Sequence, residues 1–148
     1  MSLRCELEFI EGYLAMEKIR FQNRLEVKTE VEPDALDALV PNLVLQPIIE
    51  NAIKHGVEKR TSPTTVTVRA STDGQALRLR ISDDGPGFCG TAGARSSLGV
   101  GISNTRRRLA QAYGDGASLE IEDASPSGAI VTITLPLHSV PLAEREEQ

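Results

Sequence analysis

Residues 3 to about 22 carry Leu3, Leu7, Ile10 and Leu14 at helical spacing, a stripe widened by Phe9, Tyr13 and Met16, and so predict an amphipathic helix. Over residues 25–31 the period changes to two. Leu25, Val27, Thr29 and Val31 alternate with Glu26, Lys28 and Glu30, as in a half-exposed strand, and Glu32-Pro33-Asp34 ends the run. A second helix is predicted to begin near Pro41, or effectively near Pro47, and to run to His55 with Gly56 as its C-terminal glycine. Val66, Val68 and Ala70, then Leu77, Leu79 and Ile81, mark two strands joined at Asp73-Gly74, a hairpin signal. Residues 84–98 are glycine-rich and aperiodic. A third helix is expected from about Ile102 to Tyr113, stopped by Gly114. Strands at about 117–122 and 129–135 follow, joined around Pro126-Ser127-Gly128. The order α-β-α-β-β-α-β-β is not that of a doubly wound sheet. It predicts a two-layer α/β sandwich, one largely antiparallel or mixed sheet with helices on one face.

At 148 residues the chain is one domain, large enough to bury a core without disulfides or a structural metal. Sixteen basic against 21 acidic residues leave a net charge of −5, which argues against sequence-independent nucleic-acid binding. With aromatics at 3% and no Trp, a base-stacking platform has little to be built from. Cys5 and Cys89 share no motif and read as reduced cytoplasmic thiols; two histidines leave little for a zinc site. No apolar run reaches the ~20 residues that span a bilayer. The chain opens directly on a helix, as a fragment of a longer protein would. Glycine is uneven: of twelve, eight lie between Gly85 and Gly116.

Three segments carry candidate chemistry. In Ile81-Ser82-Asp83-Asp84-Gly85-Pro86-Gly87 a carboxylate ends a buried strand before a Gly-Pro-Gly loop that lets backbone approach a ligand. A carboxylate there only accepts hydrogen bonds, so it suits an exocyclic amino group such as that of adenine. In Gly99-Val100-Gly101-Ile102-Ser103-Asn104 two glycines open a helix whose free N–H groups suit phosphate. In Glu50-Asn51-Ala52-Ile53-Lys54-His55-Gly56, residues Asn51, Lys54 and His55 share one helical face. An amide oxygen suits Mg²⁺ and a lysine neutralises phosphate. Each segment alone also fits a plain turn, a plain helix start or a solvated helix face.

In order and spacing the three resemble the boxes of the GHKL ATPases, the Bergerat-fold family of histidine kinases, Hsp90, MutL proteins and type II topoisomerases. Leu45 to Gly56, Gly99 to Leu109 and the upstream Tyr13-Leu14, Arg20-Phe21 and Arg24-Leu25 look like the LytS-type sensor histidine kinases. The resemblance covers residues 6 to about 137. It implies a mixed five-stranded sheet with about three helices on one face, and the use of ATP and Mg²⁺. By residue, Asp83 would accept the adenine amino group and Asn51 would coordinate Mg²⁺. Glu50 and His55 would tune the Mg²⁺ and the water around it, with orienting the attacking group a secondary role for Glu50, and Lys54 would contact phosphate. Gly85 and Gly87 would shape the base pocket. Gly99, Val100, Gly101, Ile102 and Asn104 would form the phosphate-facing helix start, and residues 88–98 the lid. Asp84, where this subfamily often has Asn, adds negative charge near the pocket.

The same resemblance implies an organisation. Residues 1–24 would be a helix continuing from a dimerisation and phosphoacceptor region, 25–140 the catalytic ATP-binding domain, and 141–148 a disordered tail. The acceptor histidine would lie upstream, since His55 belongs to the ATP site and His138 follows the last strand. The partners implied are the upstream domain, a response regulator and a second protomer in the full-length protein, in a cytoplasmic domain of a membrane-anchored sensor. Alternative readings are an anti-sigma-type serine kinase and a non-catalytic nucleotide-binding module. Arg106, Arg107 and Arg108 span about 200° of a helix and read as a solvated face.

Overall fold

The computed structural model describes residues 2–21, 24–41, 44–56, 64–84, 99–123 and 128–137, with 54–56, 99–101 and 123 described in backbone only. Helix α1 spans Leu3–Phe21, β1 Leu25–Val31, α2 Gln46–Gly56, β2 Thr64–Asp73, β3 Ala76–Asp83, α3 Gly99–Tyr113, β4 Ser118–Asp123 and β5 Ala129–Pro136. Single 3₁₀ turns stand at Pro33–Ala35 and Gly114–Gly116. Helix α2 starts at Gln46, so Pro47 falls in its first turn, where its missing N–H leaves no bond unmade. Helix α3 starts three residues before Ile102 and takes both glycines of Gly99-Val100-Gly101 into its first turn.

The sheet has the order β1-β2-β3-β5-β4, with β1 parallel to β2 and every other pair antiparallel. Strand β3, which ends in Asp83, is central. Alternation puts one face into the core: Ala70, Leu79, Ile133 and Leu119 form one cross-strand row, and Val68, Ile81, Val131 and Ile121 the next. The helices pack on that face, α1 by β1, α2 over β2 and β3, and α3 beside α2 and by β4. The other face carries the row Glu30, Arg69, Arg80, Thr132 and Glu120. There Arg69 Nε donates to Glu30 at 2.7 Å, an exposed pair worth at most ~1 kcal/mol. The β2–β3 hairpin turns at Gly74, whose φ of 61° suits the twist of a two-residue turn.

Two features of α1 differ from expectation. Phe9 and Met16 are 55% and 69% exposed and do not widen the buried stripe. They lie ~100° or more round the helix from Ile10 and Leu14. In their place the stripe contains a carboxylate, Glu6, at 0% exposure. Its Oε1 accepts the Leu45 N–H at 2.9 Å, and the Val44 N–H is a second backbone donor, while Oε2 is buried with no partner among the described residues. Burial pushes this carboxyl up from 4.5 to about 7; the Leu45 and Val44 N–H groups, Arg108 of α3 and the amino-terminal charge oppose the shift without cancelling it.

A raised acid binds its proton in the folded chain at pH values where the unfolded chain has lost it. Stability is therefore highest below about pH 4.5 on this group's account and falls as pH rises to about 7, by on the order of 3 kcal/mol. Glu6→Gln is expected to remove that part of the slope. Urea unfolding of both chains at pH 5 and pH 8 checks it, and parallel profiles would contradict it.

Candidate functional site

The candidate residues lie on α2, at the end of β3 and at the start of α3. Helix α2 turns Ile48, Ile49 and Ile53 into the core, which leaves Glu50 and Asn51 at the margin of its packed face. Glu50 is exposed, and its Oε1 accepts from Gln46 Nε2 at 3.0 Å, one turn earlier. Asn51 is half-buried. Its Nδ2 is shielded from solvent and has no hydrogen-bond partner among the described residues. A buried NH₂ donor without an acceptor is costly, on the order of 1–3 kcal/mol, and a ligand that brings an acceptor there, such as a phosphate oxygen, removes the cost. Lys54 and His55 belong to the last turns of α2, but their side chains lie outside the described residues.

Asp83 ends the central strand, half-buried, opposite Val66 on β2 and Ala129 on β5. The ladder does not stop cleanly there. The Asp84 N–H donates to Thr65 O at 3.3 Å, and Thr65 N–H donates to the Asp84 carboxylate at 2.8 Å. The side chain of Asp84 thus takes the place its own carbonyl would hold, and the chain is released from the sheet at that residue. The charge that Asp84 was expected to add near the pocket is engaged by the β2 backbone. Gly85, Gly87 and the expected lid at 88–98 lie outside the described residues.

Gly128, read from sequence only as a turn residue, turns out to hold Asp83 from the other side. Its φ is +112°, and a Cβ built on it would stand 1.9 Å from Asp83 O, 2.9 Å from Asp83 C and 3.1 Å from Asp84 Cα. The two backbones touch where β3 delivers its carboxylate, so only glycine fits. A single sequence carries no signal for this, because the contact joins positions 45 residues apart.

Helix α3 opens with Gly99-Val100-Gly101-Ile102 and has no acidic residue in its first turn. Two of these four positions lack a Cβ, and a helix start of this kind offers free N–H groups that suit an anion. Ile102, Thr105 and Leu109 anchor the helix in the core, so Ile102 can offer a ligand only its backbone. Asn104 is exposed. Arg106, Arg107 and Arg108 are exposed as expected, and Arg106 Nη2 reaches Leu119 O at 3.3 Å, tying α3 to β4. Helix α2 packs on β3 and on α3, so the three expected boxes converge as elements.

Comparison with known proteins fits this geometry. Residues 37–139 match the sequence profile of the histidine kinase-, DNA gyrase B- and HSP90-like ATPases. The chain is 32% identical over 149 residues to the sensor protein LytS of Staphylococcus haemolyticus and 28% identical over 140 residues to the sensor histidine kinase YesM of Bacillus subtilis. These alignments cover 95% and 92% of this chain but 25% and 24% of the relatives, so the chain spans about a quarter of their length. Among solved structures, the catalytic domain of the histidine kinase ThkA superposes with a TM-score of 0.72 at 13% identity, covering 95% of this chain and 97% of that one. A histidine kinase domain from Erythrobacter litoralis gives 0.63 at 24% identity, covering 93% and 62%.

Proposed function

The chain belongs to the histidine kinase-, DNA gyrase B- and HSP90-like ATPase family, and from that membership we propose that it is the ATP-binding catalytic domain of a two-component sensor histidine kinase. The observation that carries the reading is a pairing. A carboxylate ends the central strand at Asp83, and the helix packed on that strand holds the Asn51 Nδ2, a buried donor with no acceptor among the described residues.

In this reading Asp83 accepts the N6 amino group of adenine, a donor that guanine lacks at that position. Gly85 and Gly87 let the backbone close on the base. The N–H groups of Gly99, Val100, Gly101 and Ile102 face the phosphates, with Asn104 at the rim and Lys54 as a point charge. The buried Asn51 Nδ2 suits a phosphate oxygen, the amide oxygen of the same side chain would hold a hard cation, and His55 would order the surrounding water. Mg²⁺ bound with a nucleotide commonly takes most of its ligands from phosphate and water, so one amide oxygen from this chain would suffice. When bound, the metal would supply charge neutralisation on the phosphates. Glu50 orients the attacking imidazole, which comes from a histidine outside this chain.

Phosphoryl transfer needs positioning and charge neutralisation above all, and these residues provide both. The full-length protein would bring the acceptor histidine, a second protomer and a response regulator. No described helix is long and apolar enough to cross a membrane, and a membrane anchor would belong to other segments. The test uses a longer protein that joins this chain to its upstream region, incubated with γ-labelled ATP and Mg²⁺. Label that is lost in acid and kept in alkali marks the P–N bond of a phosphohistidine and is expected. Acid-stable label would assign a hydroxyl acceptor and favour a serine kinase.

A further inference from the structure

Helix α2 does not cap itself. The residue before it is Leu45, which has no side-chain acceptor, and its first turn contains no acid. The first helical bond, Ile49 N–H to Leu45 O at 2.9 Å, leaves the N–H groups of the entry to be satisfied from elsewhere. The acceptor is Glu6, 39 residues away on α1, which takes the Leu45 N–H at 2.9 Å and faces the Val44 N–H as well. The same end of α1 is fixed to the chain leading into α2. Leu3 N–H donates to Ala38 O at 2.9 Å, Arg4 N–H donates to Leu36 O at 3.0 Å, and Ser2 bridges Leu39. Thus α1 and the entry of α2 are joined by backbone bonds on one side and by a buried carboxylate on the other.

A Ser at position 45 would cap α2 from its own N-terminus, with no second element involved. Placing the acceptor on α1 instead makes the position of α2 depend on α1. Asn51 lies six residues past Leu45, about 9 Å along a helix, so movement at the entry is carried to it almost rigidly. We propose that Glu6 is a positioning residue for the metal- and phosphate-binding end of the site, setting from α1 where Asn51 stands. The inference rests on the reading of Asn51 as the Mg²⁺ ligand.

The test is calorimetric titration of the 148-residue chain with adenosine, and with ADP in the presence and absence of Mg²⁺. Wild type, Glu6→Leu and Glu6→Gln are compared, with thermal unfolding alongside. Glu6→Leu removes the acceptor at similar volume. It is expected to lose about tenfold of the Mg²⁺-dependent gain in ADP affinity, the lower end of what an outer-shell partner contributes to a metal site, with adenosine binding unchanged. Glu6→Gln keeps an acceptor oxygen for the Leu45 N–H and is expected to restore the gain. A full Mg²⁺-dependent gain in Glu6→Leu would overturn the proposal, and so would an equal fall in adenosine and Mg²⁺-dependent binding, which marks a merely structural role. Should Glu6→Leu fail to fold, Glu6→Asp decides. Its carboxylate is withdrawn by one methylene, the same loss is expected, and an undiminished gain overturns the proposal. A wild type with no Mg²⁺-dependent gain would instead defeat the reading of Asn51 on which the inference rests.

Discussion

Gly128→Ala is expected to lower the unfolding free energy by about 3–5 kcal/mol and to abolish nucleotide binding in what remains folded. The two effects have one cause. A methyl group at this position meets the Asp83 carbonyl oxygen at 1.9 Å and two further backbone atoms near 3 Å, and φ of +112° already excludes L side chains. No flexible side chain stands in the way, so relief requires the β3 and β5 backbones to part where Asp83 faces Ala129. That is a central pairing of the sheet, and its far side is the end of the strand that presents the candidate adenine contact. Gly74→Ala is the control. Its φ of 61° is also left-handed, but nothing lies within 4 Å of the added methyl, so only the conformational penalty of ~1–2 kcal/mol applies. Urea unfolding of the two variants separates close approach from backbone angle. Equal destabilisation would contradict the contact between Gly128 and Asp83.

Asp83→Asn is expected to do the reverse, emptying the site while sparing the fold. The side chain is half-buried at the end of a strand whose backbone pairs with Val66 and Ala129 whatever it carries, so the melting temperature should stay close to that of wild type. A carboxylate that accepts from an amino group contributes roughly 1.5–3 kcal/mol, or on the order of a hundredfold in affinity at the upper end. An asparagine in its place presents an NH₂ as well as an oxygen. Discrimination between adenine and guanine nucleotides should therefore collapse along with affinity, because the amide can donate to the guanine carbonyl. Competition of ADP and GDP for each variant measures this directly. Unchanged adenine preference in Asp83→Asn would remove the residue from the base contact.

Much of this architecture was legible in the chain because it rests on period. The alternation of Val66, Val68, Ala70, Leu77, Leu79 and Ile81 defines two strands with inner and outer faces, and Asp73-Gly74 sets the turn between them. The core of the sheet follows those positions row by row. Helix starts were less legible, since proline and glycine act differently at a first turn than within a helix, and α2 and α3 begin at Gln46 and Gly99 accordingly. Glu6 and Gly128 were not legible at all. A glutamate on a helix reads as solvent-facing, and its burial is decided by N–H groups near position 45. A glycine in a polar turn reads as flexibility, and its necessity is decided by a carbonyl 45 residues earlier. The exposure of Phe9 and Met16 likewise follows from which side of α1 the sheet occupies. Asp84 looked like a charge near the pocket, and the Thr65 backbone gives it a structural task.

The most direct test of the account is a calorimetric titration of the unaltered chain with ATP in the presence of Mg²⁺, repeated with the metal chelated. The predicted result is saturable binding of one nucleotide per chain that weakens when Mg²⁺ is removed, since the proposal places Asn51 and Asp83 at opposite ends of one ligand. No saturable binding, or binding indifferent to the metal and to the identity of the base, would contradict it.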